Sequence, residues 1–288
     1  MKINPLLQDL NEFGEIIGTT NGIMYQLDCH LSDYKKILKE RFSPQKVRMQ
    51  QPIIETTLVF GDLTGNSDKG WKINFPSDYS FELRVEEIDE KINLLINREA
   101  MRNIAFTYEV LETFIFNIIS KFLFLNKSQY QELISKKLKP KDQTVECYQE
   151  AIRNLRGKNN REVLSLLRTI SSHFSLAEIK NHEGVNLRDW IEVLSQVRHG
   201  IIHSNFRIMK NKNFNLTPEQ QEVMLKYFPY NEQDAYYDLT IENVQAVKIF
   251  NLITEYGFLV FKSLSIEQDY DWKVFRYMDG PPGHVTQH

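Results

Sequence analysis

Between residues 101 and 125 one apolar stripe persists without interruption. Met101, Ile104, Tyr108, Leu111, Ile115, Ile118, Phe122 and Leu125 recur at spacings of three and four. That spacing is the period of an α-helix and predicts a long helix with a single buried face. A helix of this kind needs partners with stripes of their own, and the sequence downstream supplies them. "TVECYQEAIRNLRG" places Val145, Tyr148, Ile152 and Leu155 on one face and then meets Gly157, a natural C-terminal cap. "NREVLSLLRTISSHF" repeats the pattern behind Asn159 and Glu162, which are spaced as a capping pair. "NLRDWIEVLSQVRHGIIH" opens at an Asn186 cap and runs through Leu187, Ile191, Leu194, Val197 and Ile201. "TIENVQAVKIFNLITEYGFLVFKSL" aligns Ala246, Ile249, Ile253, Tyr256, Val260 and Leu264. Five connected stripes describe a mainly α protein built on a helical bundle over residues 91–269.

Upstream of residue 90 the period changes. Ser32 is placed to cap a helix carrying Tyr34, Ile37, Leu38 and Phe42. Trp71, Ile73 and Phe75 then alternate with polar residues, as do Tyr79, Phe81, Leu83 and Val85. The alternation predicts half-buried strands, with "GDLTGNSDKG" turning between two of them. Residues 1–90 are therefore expected to form a small α+β module with a three-stranded meander. Residues 205–238 read as an insertion before the last long helix, with a short helix after Thr217. Residues 270–288, ending in "DGPPGHVTQH", read as a disordered tail.

Composition narrows the function classes. The formal net charge of -3 argues against a globally basic coat for nucleic acid, though not against a local basic groove. The two cysteines, Cys29 and Cys147, are far apart, which fits a reducing compartment and offers no cysteine zinc site. The first residues lack a signal-peptide core, and no apolar run reaches the roughly 20 residues of a membrane span. A cytoplasmic protein without a membrane partner is the expectation.

The chemistry concentrates in "RHGIIH", at residues 198–203. His199 and His203 are four apart and share a face of a continuous helix. Arg198 lies five residues from His203, about 140° around the axis. The two converge only if the helix breaks at Gly200, if the arginine reaches across, or if a second copy completes the geometry. Three readings stand. Arg198 and His199 form a solvated helix end, with His203 hydrogen-bonded near the core. Alternatively the histidines are a zinc pair, although the residue after the first is Gly200 rather than a zincin's glutamate. In the third, histidine moves protons at neutral pH while arginine presents a fixed fork to phosphate oxygens.

This motif, late in a helical bundle and followed by one more long helix, resembles the signature of the HEPN superfamily, an arginine and a histidine separated by four to six residues. The resemblance covers six residues by motif and roughly residues 95–266 by helix pattern. It implies a HEPN-like bundle and a metal-independent endoribonuclease acting on single-stranded RNA, without a cofactor. Two motifs would face each other in a homodimer, with His203 transferring protons, Arg198 binding the phosphate and His199 as a polar helper. A non-catalytic HEPN-like nucleotide- or RNA-binding or dimerisation module is the alternative, as is a toxin masked by an antitoxin partner. If RNA is the substrate, Lys136, Lys137, Lys139 and Lys141, with Arg153, Arg156, Lys158 and Arg161, are candidates to hold phosphates beyond the cleavage site. A solvated basic loop is the plainer reading of the lysine run. Glu109 and Glu112 face solvent or orient Arg198, and Tyr236 and Tyr237 pack on the bundle or stack bases.

Overall fold

A computed structural model describes residues 3–42, 52–66, 68–155, 160–210 and 216–273. The chain is mainly helical, as its stripes require, and α2 (Ile88–Leu125) is the axis of the bundle. Seven of its eight stripe residues are buried; Leu125, at the last turn, is 45 % exposed. Around α2 pack α1 (Leu7–Arg41), α4 (Val145–Leu155), α7 (Leu187–His203) and α9 (Asn243–Glu267). All six stripe residues named in α9 are buried, as are all five in α7. The Asn186 side chain accepts the Arg188 N–H and caps α7 as its spacing predicts. The short helices α3 (Gln131–Leu133), α5 (Arg161–Ile170), α6 (Ser172–Ala177) and α8 (Pro218–Tyr227) fill the connections. Thr217 caps α8 in a reciprocal pair with Gln220, so the short helix expected after Thr217 is present. Of the described helices, α9 alone is long and apolar enough to cross a bilayer, and half of its most apolar window is buried inside the bundle.

Four expectations need correction. Ser32 caps nothing: α1 runs straight through it from Leu7. The core ignores residue 90 as a boundary. Leu6, Leu10, Phe13 and Ile17 join the main cluster with α2 and α9, while Leu38 packs with Leu83, Ile88 and Ile92 in a second one. Gly257 on α9 makes the first contact possible, since a Cβ there would come within 2.5 Å of the Phe13 ring. Phe13 in turn stacks on Phe114, with ring centroids 4.6 Å apart.

The meander is a two-stranded antiparallel hairpin, β1 (Ile54–Asn66) and β2 (Lys72–Leu83). The two alternating runs belong to one strand, interrupted where Pro76 meets Val59 and the register shifts, a position where proline is tolerated. Phe75, Tyr79 and Phe81 are exposed rather than half-buried; Leu83, at the base, is buried. The Asn159–Glu162 capping pair has one member outside the described residues. The N-cap of α5 is Asn160, whose side chain caps nothing and instead donates to Tyr108 Oη at 3.1 Å and to Glu112. Gly157 and most of the tail also lie outside the described residues.

The insertion holds a sheet that the sequence did not announce. Strands β3 (Arg207–Met209), β4 (Tyr230–Glu232) and β5 (Tyr236–Leu239) pair antiparallel in the order β3-β5-β4. The five stripes are all helical, the third divided at Ser171 between α5 and α6, and the sheet sits against the end of α7.

Candidate functional site

Helix α7 is continuous through Gly200, so the motif does not gain its geometry from a break. Gly200 serves a different end. A Cβ on it would stand 2.7 Å from the Arg207 carbonyl oxygen and 3.0 Å from Ile208 Cγ1. Its absence lets β3 lie directly on the last turn of the helix. The Gly200 carbonyl also accepts the N–H groups of Ser204 at 3.2 Å and Phe206 at 3.0 Å. Asn205 (φ 50°) and Phe206 (φ 66°) both adopt left-handed backbone to turn the chain into β3.

On that turn Arg198, His199 and His203 come together at the surface. The arginine reaches across the helix: its Nη1 lies 3.5 Å from His203 Nε2, at the outer limit of hydrogen-bond length. The His199 and His203 rings are 4.8 Å apart between centroids. Both imidazoles are exposed, so His203 is not a histidine hydrogen-bonded near the core. Partial desolvation first, then the nearby His203 and Arg198, pushes the His199 imidazole below its ordinary range.

Glu109, one turn from the middle of α2, fixes the guanidinium. Its Oε1 accepts Arg198 Nε at 3.1 Å and also the Nη2 donor. Both bonds engage the Nε edge of the guanidinium, which leaves Nη1 directed at His203. Glu109 therefore orients Arg198, whereas Glu112 accepts from Asn160. Beside Glu109 a cavity of about 380 Å³ opens between α1 and α2, walled by Phe13, Phe106 and Phe114.

The lysine run is not gathered here. It follows the C-terminus of α2, roughly 24 Å along the axis from Glu109 at 1.5 Å per residue. Lys136 is paired with Glu132 at 2.5 Å and Lys141 with Glu150 at 2.9 Å. Lys139 ends a π-helical turn (Ile134–Leu138) that contains Lys137. Arg153 is exposed on α4, Arg161 pairs with Glu192 at 2.9 Å, and Arg156 and Lys158 lie outside the described residues. Tyr237 packs edge-on against Tyr230, with centroids 4.8 Å apart, and the Arg207 guanidinium covers Tyr236.

Sequence reasoning passed over two cations on α2, Arg98 and Arg102, the latter paired with Glu99. Arg98 and Arg102 are eleven and seven residues before Glu109, so all three share one face of α2. Arg98 lies over the Phe206 ring at 5.4 Å, three residues past His203. Their spacing relative to Glu109 was the available signal. Searches against protein-family models, curated proteins and solved structures return no match for this chain.

Proposed function

We propose that the chain is a metal-independent endoribonuclease of HEPN type that cleaves single-stranded RNA at Arg198 and His203. One observation carries the reading: an exposed imidazole and an anchored guanidinium converge at 3.5 Å on one turn of α7. Attack of the 2′-hydroxyl on phosphorus forms a 2′,3′-cyclic phosphate and expels the 5′-oxygen. It requires a base, an acid and a cation for the charge that develops on the phosphoryl oxygens. Arg198 supplies the cation, oriented by Glu109. His203 carries a proton in one direction. His199 stays neutral beside them and helps to place the phosphate or the arginine. Arg98 and Arg102 hold the RNA backbone on the same face of α2.

Two imidazoles adjacent on one face do not flank a phosphorus atom from opposite sides. A second copy of the motif across a two-fold axis supplies the missing proton-transfer group. Ile201 belongs to the core, whereas Ile202 is 48 % exposed beside the motif and is available to that contact. The Glu109–Arg198 pair favours a second reading, a nucleic-acid-binding module in which the arginine is neutralised and no bond is cut.

Labelled single-stranded RNA incubated with pure protein in EDTA separates the two. Cleavage to 2′,3′-cyclic ends, lost in both Arg198→Ala and His203→Ala, supports the ribonuclease. A mobility shift without cleavage establishes the binder. His203 is exposed, so its alanine variant should melt with the wild type. Heterodimers of the two variants carry damage in any shared site, and full activity from them would rule out a composite centre.

A further inference from the structure

Away from the motif, the turn between α6 and α7 meets α9 at a group of metal-ligating side chains. His182 Nε2 stands 3.3 Å from Glu183 Oε1 and 3.7 Å from Glu255 Oε2. All three donor atoms lie within 4.8 Å of one another. Ligand atoms around a tetrahedral zinc ion, at bonds of about 2.0–2.2 Å, are separated by about 3.3–3.5 Å. The two closest spacings already bracket that value, and the side chains are exposed and can rotate to close the third.

Charge and placement agree with a cation. Both carboxylates approach the His182 imidazole. Lys226 reaches Glu183 through its backbone carbonyl and leaves the carboxylate to the imidazole. A dication between the three groups removes the carboxylate repulsion. The turn that carries two of the ligands is pinned, because Asn181 Nδ2 donates to the Ala177 carbonyl at 3.1 Å and to Val185 at 2.9 Å.

The second observation is the space beside these ligands. His182, Glu183 and Glu255 all line a cavity of about 610 Å³ whose walls include Leu10, Phe13, Leu187, Leu252, Phe258 and Leu259. Three protein ligands would leave a tetrahedral ion one position for water or an incoming donor beside this cavity, which Lys180 and Lys262 also line.

We propose that His182, Glu183 and Glu255 bind one divalent transition-metal ion, zinc by the mixture of imidazole and carboxylate donors, at the mouth of this chamber. The ion joins the α6–α7 turn to α9 and keeps an open coordination position toward the cavity. The site is independent of the RNA chemistry assigned to α7. Glu255 lies 72 positions beyond Glu183 in sequence, which is why no spacing motif reveals the site.

Calorimetric titration of the full-length untagged protein with zinc chloride tests the assignment. One site per chain is expected, weakened at least roughly tenfold in His182→Ala and in Glu255→Gln and unchanged in His203→Ala. Zinc should also raise the thermal midpoint of the wild type and leave that of His182→Ala in place, because an ion bound only by the folded chain stabilises it. The side chains are exposed, so both variants should fold; circular dichroism verifies this. Equal zinc affinity in wild type and His182→Ala overturns the proposal, as does saturation only at millimolar zinc. Loss of binding in His203→Ala instead moves the metal to the α7 histidine pair and overturns it too.

Discussion

Glu109 on α2 grips Arg198 on α7 through the guanidinium Nε at 3.1 Å and through Nη2, and leaves Nη1 facing His203. The pair is only partly screened, with the Arg198 side chain 23 % and Glu109 47 % exposed. It sets the direction of the arginine more than it stabilises the fold.

Replacing Glu109 by glutamine should therefore separate binding from catalysis. RNA affinity holds or rises, because one negative charge leaves the surface. Turnover falls about tenfold, the size of a lost positioning contact. Single-turnover cleavage and filter binding on the same variant read the two effects. A loss of affinity with unchanged turnover would contradict the positioning role.

Gly200→Ala tests the contact between α7 and β3. Alanine is the better helix former by about 1 kcal/mol. The added methyl nevertheless meets the Arg207 carbonyl at 2.7 Å, and backbone yields poorly. Net destabilisation of about 1–3 kcal/mol is expected from denaturant titration, with His203 displaced and cleavage reduced. A more stable variant would mean that β3 moves freely.

The His199 imidazole should titrate below free histidine, since burial and two neighbouring basic groups disfavour its charged form. NMR detection of its ring protons, with His199→Gln to assign them, measures this directly. The linked stability effect has a definite sign. As pH falls from neutral toward the depressed value, the unfolded chain takes up the proton first, so His199 withdraws stability from the folded state. His173, pushed down by burial and by Lys262, acts in the same sense. Replacing either residue should flatten the decline of the melting temperature between about pH 7 and pH 5.

Glu178 is fully buried and receives Arg168 Nε at 2.6 Å, Arg188 Nε at 3.2 Å and the Tyr256 hydroxyl at 3.1 Å. The carboxylate and the burial together push the Tyr256 phenol well above its ordinary range. Glu178→Ala strands two arginines and a hydroxyl and should cost about 3–5 kcal/mol in chemical denaturation. Glu178→Gln keeps an acceptor and should cost less.

The bundle was legible wherever a stripe was long and complete. Helices α2, α7 and α9 bury nearly every residue that their spacing nominates, because a single apolar face leaves one way to pack. Helix α1 was half legible: the spacing nominated only its second half, where Tyr34 and Ile37 are exposed and Ser32 imitates a cap, and missed the first half, which enters the core. The hairpin was miscounted because Pro76 breaks the alternation without ending the strand. Strands of three or four residues, such as β3 and β5, are too short to show a period. At the motif the sequence gives a 140° separation and leaves three ways to close it. Arginine's length decides among them, together with a carboxylate 89 residues away that no local spacing announces.

The join between Gly200 and β3 changes what the residues after the motif are for. The Gly200 carbonyl accepts the Phe206 N–H, and the Phe206 carbonyl accepts the Leu239 N–H at 3.0 Å, so α7 and β5 are two backbone hydrogen bonds apart. Strands β3 and β5 thus serve as a brace on the last helical turn. A displacement of the small sheet would therefore act, through backbone alone, on the turn that carries His203. A partner seated there would reach the histidine without touching it.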